Sequence, residues 1–230
     1  MALPVLETPT YELTLPSTEQ IVKYRPFLVK EHKILLSLAK TSAKNIVKTI
    51  KDLIDVCTFN KLEIDKLPNY DIEYLFLNLR AKSIGELVDI TITCDCDEKI
   101  KSYVDLSKIK IENKDKIQSN LVDINEDLKI KIRFPNFDEM MDIYENVETE
   151  KVFEVIGKCI DELHEGNKIH SSFTQEELNK FILSLTKKQF NNIENFFVNL
   201  PKVTYNDEVK CNKCNNVNKI RLEGIEHFFI

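Results

Sequence analysis

The chain has 230 residues, 43% of them hydrophobic, and a formal charge of −6. That is enough apolar material for one large or two small domains and excludes a wholly disordered chain. The acidic balance argues against a protein built mainly to hold nucleic acid, which needs clustered Lys and Arg. No apolar run approaches the ~20 residues of a membrane span, and the N-terminus lacks the pattern of a signal peptide, so folding in the cytoplasm with reduced thiols is expected.

Residues 1–27 carry Pro4, Pro9, Pro16 and Pro26. Proline fixes φ and lacks a donor, so this stretch reads as an extended arm with at most one short strand, Thr10–Leu15. Leu13, Leu15, Val22, Phe27 and Leu28 are its anchors. They dock it either on its own domain or on a neighbouring subunit. The expectation is that removing residues 1–20 leaves the rest folded and weakens partner binding.

Helices are predicted at 29–40, with Ile34, Leu35 and Leu38, and at 42–57, with Ile46, Ile50, Leu53, Ile54 and Cys57 behind a Ser42 N-cap. Leu67-Pro68-Asn69 breaks the chain. Ile72, Leu75, Phe76 and Leu79 then repeat at helical spacing over 71–82. Gly85 supplies a turn, and Val88, Ile90 and Ile92 alternate with Asp89, Thr91 and Thr93 as a strand that runs into Cys94 and Cys96.

A return strand is expected at 99–106, extended by Ile109–Ile111, and a second hairpin pairs 120–124 with 128–134. Asn136 with Glu139 makes a capping box for a short helix. Val152, Phe153, Val155, Ile156, Cys159, Ile160 and Leu163 predict a helix over 149–163 that stops at Glu165-Gly166-Asn167. Thr174 with Glu177 caps the next helix, and the one at 187–199 buries Phe190, Ile193, Phe197 and Leu200. The tail is a hairpin, 203–210 and 216–222 around Cys211-Asn-Lys-Cys214, and Phe228, Phe229 and Ile230 are apolar enough to be docked.

The six cysteines fall into two groups. Cys57 and Cys159 lie on helical apolar stripes, as core residues do. Cys94, Cys96, Cys211 and Cys214 lie at hairpin tips among Asp, Asn and Lys. Cys211-x-x-Cys214 has the spacing of a zinc knuckle, whereas Cys94-x-Cys96 has one residue where knuckles use two to four. The four are candidate ligands of one structural zinc; a pair of degenerate knuckles without metal is the alternative. A redox reading of Cys211 and Cys214 lacks the strand-to-helix context such motifs need. His32, His164, His170 and His227 are scattered, and no phosphate loop, dinucleotide fingerprint or nucleophile elbow is present. Arg25 and Arg80 stand in apolar surroundings, each either in a salt bridge with Glu31, Glu73 or Glu86 or an anchor to a partner subunit.

Several stretches together resemble the T4-like phage baseplate protein family. They are Leu3-Pro4, Pro9-x-Tyr11, Leu15-Pro16-Ser17-Thr18, Tyr24-Arg-Pro-Phe-Leu-Val-Lys-Glu31, Asp71-Ile-Glu-Tyr-Leu-Phe-Leu-x-Leu-Arg80-x-x-Ser83-x-Gly85, and Cys211-x-x-Cys214 followed by Leu222-Glu-Gly-Ile-x-x-Phe-Phe. The family includes a baseplate hub subunit and a hub assembly factor of contractile-tailed phages. The resemblance implies a non-enzymatic protein working through subunit contacts, in the tail baseplate of the virion or in the host cytoplasm during assembly. Its partners would be other baseplate or tail proteins, met through Tyr24, Arg25, Pro26, Phe27 and Arg80. Members often carry a two-residue spacer in the first cysteine pair, where this chain has one residue.

The expected fold is α+β: helical N- and C-terminal parts around a central antiparallel β region, with two cysteine-bearing hairpins. The expected division is an arm at 1–27, a helical part at 28–83, a β region at 84–135, a second helical part at 136–200, and a cysteine hairpin with docked tail at 201–230. The functional expectation is a structural or assembly component of the baseplate hub. The alternative is a zinc-ribbon-like module that binds nucleic acid or regulates.

Overall fold

A computed structural model describes residues 6–37, 43–116, 119–145 and 149–225. The expectations placed on Pro4, Leu38, Ser42, His227, Phe228, Phe229 and Ile230 lie outside these residues. The fold is α+β, with short antiparallel sheets and helices, and it divides into two units. Unit 1 is Met1–Glu112 with Lys202–Ile230; unit 2 is Asn113–Pro201.

Unit 1 opens with a hairpin, where one strand was expected: β1 (Tyr11–Thr14) pairs with β2 (Ile21–Tyr24). Pro16 falls in the connecting turn, where its missing N–H costs no ladder bond. The Leu15 N–H closes the turn on the Gln20 carbonyl at 2.9 Å. Of the two places the arm could dock, the structure shows its own unit. Leu15 is fully buried, and Ser17 donates from its N–H (3.1 Å) and its hydroxyl to the carboxylate of buried Asp71.

Two helices follow, α1 (Val29–Ser37) and α2 (Ala43–Cys57), then a 3-10 turn at Ile64–Lys66. Helix α3 (Asn69–Ser83) starts directly behind Pro68, which cannot sit in a helix interior but is tolerated at its entrance. Its spacing predicted one buried stripe. In fact Tyr70, Asp71, Glu73 and Leu77 are buried along with Ile72, Leu75, Phe76 and Leu79, so α3 is enclosed on most sides and forms the core of unit 1. Gly85 at φ +144° then turns the chain out of the helix, a conformation L side chains rarely adopt.

The strands β3 (Leu87–Thr93) and β4 (Lys99–Asp105) form the predicted hairpin. Residues Ile109–Ile111 do not extend β4. A 3-10 turn at Leu106–Lys108 intervenes, and β5 (Lys110–Glu112) joins a different sheet.

Unit 2 holds a four-stranded antiparallel sheet in the order β6-β7-β8-β9: β6 (Leu121–Asp123), β7 (Leu128–Ile132), β8 (Ile160–Glu165) and β9 (Lys168–His170). Helices α4 (Phe137–Glu145) and α5 (Thr149–Lys158) interrupt it, and α6 (Gln175–Ser184) and α7 (Lys187–Val198) follow. The predicted helix over 149–163 therefore ends early. Ile160–Glu165 is a strand because β7 needs an edge partner, and Ile130 pairs with Leu163 across it. Arg133 fixes the switch: its N–H bonds the Cys159 carbonyl at 2.8 Å and its guanidinium bonds the Lys158 carbonyl at 2.8 Å, filling acceptors left open at the helix end. Glu165-Gly166-Asn167 is thus a hairpin turn, with Gly166 at φ +55°. In α7 Phe190 and Ile193 are buried as predicted, but Phe196 takes the place expected of Phe197, which is only half-covered. The core of unit 2 joins Ile130, Ile132, Val155, Ile156, Leu178, Ile182, Phe190 and Ile193.

Back in unit 1, β10 (Lys202–Lys210) lies between β5 and β11 (Val217–Glu223), completing the order β11-β10-β5.

Two outcomes are expected from this packing. Leu15→Ala should lower the stability of unit 1 by roughly 2–5 kcal/mol, the usual cost of emptying a buried leucine site, and deleting residues 1–20, which the sequence led one to expect would leave the rest folded, should cost more because it also removes the Ser17–Asp71 bonds; denaturant midpoints read both. In unit 2, burial raises the Glu139 pKa, but the bonds from Arg133 (2.7 and 2.8 Å) and the Asn136 N–H (2.9 Å) lower it further, leaving it below its ordinary 4.5. A lowered carboxylate stabilises fully above the unfolded value and loses that contribution as pH falls through the folded one. Glu139→Gln should therefore destabilise the protein by roughly 1–3 kcal/mol at pH 6, and the gap should close as pH drops below about 4.5.

Candidate metal centre

Each cysteine pair sits on a tight hairpin tip, and the two tips share a construction. In the first, the Cys94 N–H bonds the Glu98 carbonyl (2.9 Å) and the Asp97 N–H bonds the Cys94 carbonyl (2.9 Å). In the second, the Cys211 N–H bonds the Asn216 carbonyl (2.8 Å) and the Asn215 N–H bonds the Cys211 carbonyl (2.9 Å). The residue after the second cysteine is left-handed in both, Asp97 at φ 62° and Asn215 at φ 61°. The shorter Cys94-x-Cys96 loop is the same turn closed one residue earlier. Asp and Asn tolerate this backbone better than other non-glycine residues, so the signal was readable in Cys-Asp and Cys-Asn, although the spacing alone did not show it.

All four sulfurs lie within 4.8 Å of one another. The nearest pairs cross between hairpins: Cys94 to Cys214 at 3.6 Å and Cys96 to Cys211 at 3.7 Å. Cys94 and Cys211 are buried, Cys96 is half-buried and Cys214 exposed. Ile100 and Val209 pack against them, and Lys213 reaches Glu98 from the other tip at 3.8 Å.

Backbone N–H groups of Cys214 and Lys213 aim at the Cys211 sulfur and lower its pKa to about 7, against a smaller opposing push from burial. At Cys214 the Asn216 N–H pulls down, but the sulfurs of Cys96, Cys94 and Cys211 and burial together push the thiol up to about 12. Thiols this close cannot all ionise without a cation among them. Among the described residues this is the one place where His, Cys, Asp or Glu side chains gather closely enough to share an ion.

The other cysteines behave as core residues. Cys57 and Cys159 are fully buried, and burial pushes their thiols up to about 11 and about 12. The described histidines are spoken for: His32 stacks on Phe27, His164 bonds Glu162 at 2.7 Å and His170 lies 3.3 Å from Glu165. A surface hollow near Lys51 and Asp55 pairs several of its own charges, Lys51 with Asp65 and Lys66 with Glu63, and its lining holds no Ser, Thr, Cys or His.

Residues 8–230 match the family described as T4 bacteriophage base plate protein. The chain belongs to that family. No curated protein and no solved structure matches it. The match spans both units of this base plate protein, including the two cysteine hairpins and the arm from Thr8 onward, Thr8 being its first matched residue.

The residues the arm offered for partner contact sit inward in this base plate protein. Tyr24, Pro26 and Phe27 are buried within unit 1. Arg25 is half-buried and bonds Glu31 at 3.0 Å and the Pro26 carbonyl at 2.9 Å, and Glu31 in turn accepts from the Leu28 N–H at 2.6 Å. Arg80 is half-buried, its Nη1 reaches no hydrogen-bond partner among the described residues, and burial moves its pKa below the ordinary arginine value. Ser17, Asp71 and Ser83 stand in the family-like motifs, but nothing in the sequence assigned them a contact role; they tie the arm and the Tyr24–Phe27 stretch to α3, and Ser83 accepts from the Phe27 N–H at 2.9 Å.

Iodoacetamide added to the native protein at pH 7.5 should leave Cys57 and Cys159 unmodified and reach them only on unfolding, because each is buried and its thiolate is scarce. Peptide mass mapping before and after denaturant reads this; labelling of either in the native state would contradict the burial.

Proposed function

We propose that this chain is a structural or assembly component of a contractile phage tail baseplate, at the hub, and that it works through protein contacts rather than catalysis. The family match over residues 8–230 carries the reading. Its partners are other baseplate or tail proteins, and its place is the virion baseplate or the host cytoplasm while the baseplate is built.

Two features support contact work. Helix α1 buries only Glu31 and leaves Val29, Ile34 and Leu36 exposed. Ile21 and Leu28 are exposed beside the buried Tyr24–Phe27 stretch, so a neighbouring subunit would meet these side chains while Tyr24, Pro26 and Phe27 hold them in place. No described helix is long and apolar enough to cross a membrane.

Mass spectrometry of purified virions and of assembly intermediates from infected cells tests the reading. The chain should appear in at least one; absence from both would overturn it. Val29→Asp, which changes an exposed position, should leave thermal unfolding within a few degrees of wild type and lower the yield of assembled baseplates at least tenfold in a complementation assay.

A further inference from the structure

We propose that Cys94, Cys96, Cys211 and Cys214 hold one zinc ion as a tetrathiolate, and that this ion clasps together the two chain segments from which unit 1 is built. This goes beyond the baseplate reading and does not rest on it.

The first support is size. Four sulfurs around zinc at about 2.3 Å stand about 3.8 Å apart along each tetrahedral edge. The two closest sulfur pairs are at 3.6 and 3.7 Å, and no pair exceeds 4.8 Å. A disulfide would need about 2.05 Å, and these thiols are free. The second support is the equivalence of the tips. Both turn on a left-handed residue after the second cysteine, so the one-residue spacer preserves the knuckle instead of breaking it. The third is the donor set. Four sulfurs in tetrahedral reach select zinc or iron over calcium or magnesium, which take oxygen.

The joint itself gives the fourth argument. Hairpin β3–β4 and hairpin β10–β11 belong to different sheets, so no strand pairing holds their tips together. The buried group at the joint is Cys94, Ile100 and Cys211, with Cys96 and Val209 against it, too small to do so by apolar burial alone. An ion there closes a loop between residues 115 to 120 apart, tying the first segment of unit 1 to the second. On binding, each thiol gives up its proton to solvent and the four thiolates with Zn2+ carry a net charge of −2.

The test uses the full-length chain, free of added histidines, produced in zinc-replete medium and purified under reducing conditions without chelator. Elemental analysis should find about one zinc per chain. Cys96→Ser and Cys214→Ser, at the more accessible positions, should stay folded by circular dichroism and each retain a tenth of the zinc or less, while Cys57→Ala keeps it. Cobalt exchanged into the site should give the absorption of a tetrahedral tetrathiolate. Chelation of the wild-type protein should speed amide exchange at least tenfold in both cysteine hairpins and leave unit 2 unchanged. Metal below a tenth of an equivalent in the wild type, iron in place of zinc, zinc retained by both serine variants, or disulfides among these cysteines in the protein as purified would overturn the proposal.

Discussion

Unit 1 depends on a three-residue strand pairing. Val203 lies opposite Ile111, with Lys202 opposite Glu112 and Thr204 opposite Lys110. Where the chain leaves the unit and where it returns are therefore neighbours in one ladder. The pairing puts Val203 and Tyr205 fully inside and carries the rest of β10 and β11 with them. Glu112 reinforces the joint from its edge, accepting from Arg221 at 2.9 Å and from Asn206 at 3.0 Å. That ladder brings the cysteine hairpin at the end of β10 to the same side of unit 1 as Cys94 and Cys96, where Lys213 and Glu98 and the small Cys94–Ile100–Cys211 cluster meet.

What the sequence showed of the fold follows from locality. Capping boxes at Asn136–Glu139 and Thr174–Glu177 formed as read, because both partners lie within four residues. The strand into Cys94 was legible for the same reason: its alternation is complete before any distant partner is involved. The errors were non-local. The apolar residues from Val152 to Leu163 fit a helix face throughout, and only the need of β7 for a neighbour, with Arg133 at the helix end, converts the last part to strand. Residues Lys110–Glu112 looked like an extension of β4 because their partner lies some ninety positions on. The second arm strand was missed because proline density masked a turn.

The candidate site was legible in part. Separating four hairpin cysteines from Cys57 and Cys159 needed only the apolar periodicity around each, and the structure gathers those four. The partner residues were harder. An apolar, arginine-bearing stretch such as Tyr24-Arg-Pro-Phe reads alike whether it docks on its own domain or on another, and Glu31, which receives Arg25, was one of several candidates. Helix α1 inverts the usual rule by burying a glutamate and exposing aliphatics, which hydrophobic spacing cannot foresee.

The split of unit 1 around unit 2 sets an order of events on the ribosome. Strand β5 emerges roughly ninety residues before β10, so at 5–20 residues per second its free edge waits for about 5–20 s. All of unit 2 is delivered within that interval and can close its core first. During the same interval the apolar face that Val203 and Tyr205 will cover stands open beside an unpaired strand. Another copy at the same stage on a polysome carries the same open edge, and one further along carries the β10–β11 segment that fits it. Among many nascent copies the chain is thus exposed to exchanging its β10–β11 hairpin with a neighbour, a hazard that grows with the length of the insertion between β5 and β10.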